Sequence, residues 1–184
     1  MLAKQQAKIS AEEFKTLVQL PENLDKNLEL IYGEIVEKMV SHPDSSTITG
    51  ELYIYLKQNR IGQLTSSEGG YIIGEHRFIP DVAFIINEKT NNQVVAGYRD
   101  THPDLAVEVI SPTDRPREIA LKVTAYQEAN ILLWVVYPED QEIHVYAPNY
   151  APTRILTIKD TLTGGDVLPD FELPMSDIFG EVEE

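Results

Sequence analysis

Two short apolar runs each carry one acid at a position that ought to be buried. They are Ile79-Pro80-Asp81-Val82-Ala83-Phe84-Ile85 and Asp104-Leu105-Ala106-Val107-Glu108-Val109-Ile110. Both read as strands, and Asp81 directly follows a proline, where a strand begins. An ionised carboxylate among such neighbours is costly unless it is paired, protonated or bound to a metal. Mg2+ is a natural partner, because it prefers carboxylate and phosphate oxygens and keeps several waters. Two carboxylates on neighbouring strands could hold one such ion against a phosphodiester, where it would polarise the phosphoryl oxygen and acidify a water. The plainer alternative is that Asp81 caps a turn after Pro80 and that Glu108 pairs with an arginine.

Lys122 favours the first reading. In the helix expected over 116–129, Ile119, Val123 and Tyr126 form the stripe that faces the sheet. Lys122 lies three residues after Ile119, on the same side. A lysine there is either anchored by a carboxylate or snorkels out to the rim. If anchored, it can orient water or neutralise charge on phosphorus. Glu34 and Glu51 are weaker accessory carboxylates. His42, His76, His102 and His144 show no HxH or HExxH spacing, which argues against a histidine metal site. There is no P-loop, GxGxxG or GxSxG pattern.

Ser10 and Glu13 read as a capping box opening a short helix that Pro21 ends. Leu28 to Val40 reads as a strand pair or bulged strand around Gly33. A helix is expected over 46–59, and strands over 71–73, 78–86, 106–110, 132–137 and 143–146, with a hairpin-like tail through Leu162. This mixture indicates an α/β or α+β fold, a mixed sheet with flanking helices. Residues 1–9 read as a flexible end and residues 10–184 as one domain. With no cysteine, disulfides and thiolate chemistry are excluded. The longest apolar stretch, Ile131 to Tyr137, is far short of the roughly 20 residues that span a bilayer. The start of the chain lacks the apolar core of a signal peptide, so a cytoplasmic protein without membrane contact is expected.

The formal net charge of −15 argues against simple DNA binding. Its distribution softens that objection: residues 126–184 hold 2 basic and 12 acidic groups, whereas residues 50–125, which carry the candidate site, hold 8 and 10.

In order and spacing, several motifs together resemble the Uma-type restriction endonuclease family, which is abundant in cyanobacteria. They are Gly33-Glu34-Ile35-Val36-Glu37, Pro80-Asp81-Val82-Ala83-Phe84, Pro103 through Pro112, Lys122 with Tyr126, Trp134-Val135-Val136-Tyr137-Pro138, and Asp166-Val167-Leu168-Pro169 with Phe171 and Phe179. The resemblance runs from about residue 28 to residue 180. It implies a restriction-endonuclease-like PD-(D/E)XK fold, often a homodimer, that hydrolyses DNA with Mg2+ or Mn2+. Asp81 and Glu108 would be metal ligands and Lys122 the catalytic lysine. The lysine usual two residues after the glutamate is replaced by Ile110, and the family places it on the next helix instead. Departures are Ser45-Ser46-Thr47 where a histidine is common, Asn130 for a glycine before the Trp strand, and Asp170 where glycine is favoured. Two competing readings are a catalytically inactive nuclease-fold module that binds protein or nucleic acid and, more weakly, a carboxylate glycosidase.

Overall fold

The expected capping box forms. Ser10 Oγ accepts the Glu13 amide at 3.2 Å, and Glu13 Oε2 accepts the Ser10 amide at 2.7 Å. In this computed structural model, which describes residues 8–39, 42–58, 62–67, 69–86, 94–95, 97–148 and 153–180, the box opens helix α1 (Ala11–Leu17). Phe14 is its buried anchor, and a 3-10 turn at Pro21–Asn23 follows. Residues 1–7 of the expected flexible end lie outside the described residues. Residues 8 and 9 are tied down, since the Ile9 amide donates to the Gly33 carbonyl at 2.9 Å.

Strands β1 (Leu28–Ile31) and β2 (Glu34–Glu37) form a hairpin. Its two-residue turn, Tyr32-Gly33, has φ of 48° and 82°, the left-handed pair that matches strand twist. Gly33 is therefore a turn rather than a bulge. Helix α2 (Pro43–Gln58) begins three residues ahead of the expected Ser46. The chain continues through β3 (Gly62–Ser66), β4 (Gly70–Ile73), β5 (His76–Phe78), β6 (Val82–Ile86), β7 (Val94–Val95), β8 (Tyr98–Arg99) and β9 (Leu105–Val109). Helix α3 (Pro116–Glu128) leads to β10 (Leu132–Tyr137), β11 (Glu142–Tyr146), β12 (Arg154–Leu156), β13 (Thr161–Gly164), β14 (Leu168–Pro174) and α4 (Ser176–Phe179).

The result is an α+β architecture with more than one sheet. One sheet has strand order β2-β1-β5-β4-β8-β7, a second has order β12-β11-β10-β9-β6-β3, and β13 and β14 form a separate hairpin. Strands β9 and β10 are parallel, with Glu108 opposite Val135, so α3 is the crossover that parallel neighbours require. Alternation sorts the second sheet into two faces. Ala83, Ile85, Ala106, Leu133 and Val135 pack against Ile31, Tyr71 and Phe78 of the first sheet and against Ala125 and Tyr126 of α3. Val82, Phe84, Val107, Trp134 and Val136 pack against Ile48, Leu52 and Leu56 of α2 and against Leu173 and Ile178.

Two expectations are corrected. The run 78–86 is not one strand: β5 belongs to the first sheet and β6 to the second. Pro80 has no amide to donate to a ladder, and the Ile79 amide is taken by a side chain, so the chain leaves one sheet and enters the other at Ile79-Pro80-Asp81. The hairpin-like tail also runs further than expected: β12 pairs antiparallel with β11, and a second hairpin follows from Thr161 to Pro174 with a bulge at Thr163/Gly164. No helix among the described residues is long and apolar enough to cross a membrane.

Candidate active site

The register of β6 and β9 sets Val82 opposite Val107, which brings the next residues, Asp81 and Glu108, side by side. Like charges so placed repel unless something neutralises them. Both are almost wholly buried, at 5% and 6% exposed. Alternation along the strands turns them to the face covered by α3 and the β1–β2 hairpin.

Each carboxylate is held by named groups. Asp81 Oδ2 accepts the Val109 amide at 2.7 Å, and its Oδ1 lies 2.9 Å from Lys38 Nζ. Glu108 Oε1 accepts the Tyr126 hydroxyl at 2.9 Å, and Lys122 Nζ lies 3.2 Å from both Glu108 oxygens. Lys122 also pairs with Glu29 Oε2 at 2.8 Å and sits over the Phe78 ring at 5.7 Å. Glu29 Oε1 takes the Ile79 amide at 2.7 Å, and Lys38 donates to the Ile79 carbonyl at 2.6 Å. Ile79, where the chain passes between the two sheets, is thus clasped by Glu29 of β1 at its amide and by Lys38, just past β2, at its carbonyl.

The electrostatics follow from this burial. Desolvation pushes the Glu108 carboxyl above the ordinary carboxylate range, against the pull of Lys122 and Lys38. Burial opposes the charge on Lys122, but Glu108 and Glu29 outweigh it and hold its ammonium above the usual lysine range. Burial, reinforced by Glu108 and Glu29, pushes the Tyr126 phenol well up, so it stays a hydrogen-bond donor.

Glu29, Lys38, Asp81, Glu108 and Lys122 line a cleft of about 390 Å3 whose walls also include Met39, Ser111, Arg115 and Ile119. The structure brings Asp81, Glu108 and Lys122 together. Glu34 is not among them. It lies on the side of β2 that faces α3 but four residues before Lys38, roughly 13 Å along an extended chain. There it forms a two-pronged ion pair with Arg117, at 2.8 Å and 2.8 Å. Glu51, the other accessory candidate, lies in α2, outside the cleft. Ser45 is buried and donates to the Ile110 carbonyl at 3.3 Å.

Two cluster residues were not singled out from sequence. Glu29 carries the same mark as Glu108, an acid inside the apolar run Leu28-Glu29-Leu30-Ile31. Lys38 carries no such mark, because it lies just past the end of its strand, between Glu37 and Met39.

The donor set fits a hard divalent cation. Asp81 and Glu108 offer carboxylate oxygens with lone pairs beyond those already used. Among the described residues no group of three or more histidine, aspartate and glutamate side chains converges on one metal position. Water and substrate oxygens would therefore complete the shell, as Mg2+ favours.

Comparison with known proteins bears on the fold and the family. The crystal structure of a "putative nuclease belonging to DUF820" from Anabaena variabilis superposes with a TM-score of 0.80 at 20% identity, covering 93% of this chain and 97% of that one. It is similar in fold. No curated protein matches the chain. The family model Uma2, described as "Putative restriction endonuclease", matches residues 11–176. That span contains Glu29, Lys38, Asp81, Glu108 and Lys122, and the chain belongs to the Uma2 family.

Proposed function

We propose that this protein is a divalent-metal-dependent nuclease that hydrolyses DNA phosphodiester bonds. The observation that carries the reading is the pair of buried carboxylates, Asp81 and Glu108, set side by side on adjoining strands with the Lys122 ammonium against Glu108. Asp81 and Glu108 are the residues that would hold Mg2+ or Mn2+. A bound cation supplies Lewis acidity and positive charge to the phosphodiester.

The chain's own groups do the rest. Glu29 and Glu108 fix the Lys122 ammonium from two sides, so it meets the substrate already oriented. From there it can neutralise charge that develops on the phosphoryl oxygens as water adds to phosphorus and the ester oxygen departs. Tyr126 keeps Glu108 in one rotamer by donating to Oε1, and the Val109 amide does the same for Asp81. The same reading includes a homodimer, which light scattering on the full chain measures.

The test is cleavage of supercoiled plasmid with and without Mg2+ or Mn2+. Metal-dependent nicking is expected in the wild type, with losses of about 100-fold or more in Asp81→Ala and Glu108→Gln. Equal cleavage by all three proteins would remove these residues from the chemistry. A second reading, a non-catalytic binding module, draws on one observation: both carboxylates are already ion-paired within the chain. It predicts no calorimetric signal with millimolar Mn2+ and no cleavage of any nucleic acid.

A further inference from the structure

Asp81 has a cation of its own. Lys38 Nζ sits 2.9 Å from Oδ1, with the lysine side chain 16% exposed and the aspartate side chain 7%. That shielding separates the pair from surface ion pairs, which solvent weakens. The lysine is also fixed in place. Its amide donates to the Asn27 carbonyl at 2.7 Å, which extends the β1–β2 ladder one step past the Leu28–Glu37 pair. Its ammonium is anchored a second time by the Ile79 carbonyl at 2.6 Å. Lys122, by contrast, is engaged by Glu29 and Glu108. The two ammonium groups therefore divide the carboxylates between them, and Asp81 falls to Lys38.

A divalent cation drawn to Asp81 and Glu108 meets this charge at one of its own ligands. It must share the Asp81 carboxylate with the ammonium or displace it, and in either case two positive charges lie close together in a poorly hydrated place. We propose that Lys38 is a resident competitor for the metal, which sets the divalent-cation affinity of the cleft by occupying Asp81 Oδ1 and repelling the incoming ion. This rests on the metal-dependent reading above. Lys38 acts through Asp81 and is a positioning residue in this scheme.

Mn2+ alone, titrated calorimetrically into the full-length chain without DNA, tests it. Lys38→Gln keeps a donor for the Ile79 carbonyl and removes the charge. It is expected to bind Mn2+ at least about tenfold more tightly than the wild type. Lys38→Arg keeps the charge and is expected to stay within about threefold of wild type. Lys38→Met serves as a second neutral variant should the glutamine protein not fold, with folding read from Trp134 fluorescence. Unchanged or weaker affinity in the neutral variants, while the wild type binds Mn2+ and cleaves with it, overturns the role of Lys38 and leaves the nuclease reading standing. Tightening of equal size in Lys38→Arg also overturns it, because charge would then not be the cause. Absence of Mn2+ binding in every protein overturns both.

Discussion

Lys122 is enclosed by Glu29 and Glu108, and this decides how the cluster responds to mutation. Lys122→Met would leave two buried carboxylates without their shared cation. Breaking such a pair costs about 3–5 kcal/mol, so the midpoint of urea unfolding, followed by the single tryptophan, Trp134, is expected to fall sharply. Glu29→Gln retains an acceptor for the Ile79 amide, so its main effect is on the lysine. Cleavage is expected to drop by about ten- to a hundredfold, with the fold intact by circular dichroism. His76 offers a separate test by pH. It is 8% exposed, its Nδ1 accepts the Tyr32 amide at 3.2 Å, and its ring stacks on Phe78 at 5.4 Å. Burial depresses its pKa, with Glu128 and Glu75 pulling the other way. A depressed value means that the unfolded chain takes up the proton first. The stability due to neutral His76 is therefore full above about pH 6.5, the unfolded value, and is lost as pH falls through the folded one. The melting temperature should decline below pH 6.5 more steeply in the wild type than in His76→Gln.

Four described residues other than glycine have a left-handed φ: Tyr32, Asn130, Gln141 and Asp170. Asn130 lies between α3 and β10 at φ 55°, and Asp170 lies within β14 at φ 65°. Left-handed geometry costs an ordinary residue about 1–2 kcal/mol, and asparagine and aspartate less. Asp170→Gly is accordingly expected to raise stability by about 0.5–1 kcal/mol in chemical denaturation, and Asn130→Gly by less. The Glu34–Arg117 tether between β2 and α3 is a surface pair that solvent screens, so Glu34→Ala should leave both the unfolding midpoint and plasmid cleavage near wild type. At this scale the sequence was informative wherever a period met a boundary. The stripe of Ile119, Val123 and Tyr126 placed Lys122 on the inner side of α3, and Pro116 marked where that helix begins. The division of the strands between two sheets was not readable, because alternation gives the faces of a strand but not its neighbours. Phe78 and Val82 look like one apolar run, and only Pro80 hints that they part. Glu29 was legible by the same rule as Glu108. Lys38 was not, since its burial depends on the β1–β2 hairpin folding onto β6 and β9, a contact between residues some forty positions apart.

The charge of the whole molecule shapes how it meets a polyanion. The formal net charge is −15, and most of the acid excess lies in residues 126–184, from the end of α3 onward, which hold 2 basic and 12 acidic groups. The cleft lies instead among β1, β2, β9, β10 and α3, with Asp81 just ahead of β6 and Arg115 on its wall. So few cations can face phosphates that counterion release should be small. A plot of log DNA affinity against log KCl, from fluorescence anisotropy, is expected to have a slope of magnitude below about 3, shallower than for proteins that neutralise many phosphates. A steep slope would point to a basic surface elsewhere on the molecule.

The Ile79 peptide, pinned at its amide by Glu29 and at its carbonyl by Lys38, has a bearing on engineering. It works as a rivet through three separate pieces of chain, and Asp81, Glu108 and Lys122 cluster around its head. Grafting the β1–β2 hairpin from a relative would therefore succeed only if the Ile79-Pro80 segment travelled with it, while loops far from the rivet should accept insertions without disturbing the cleft.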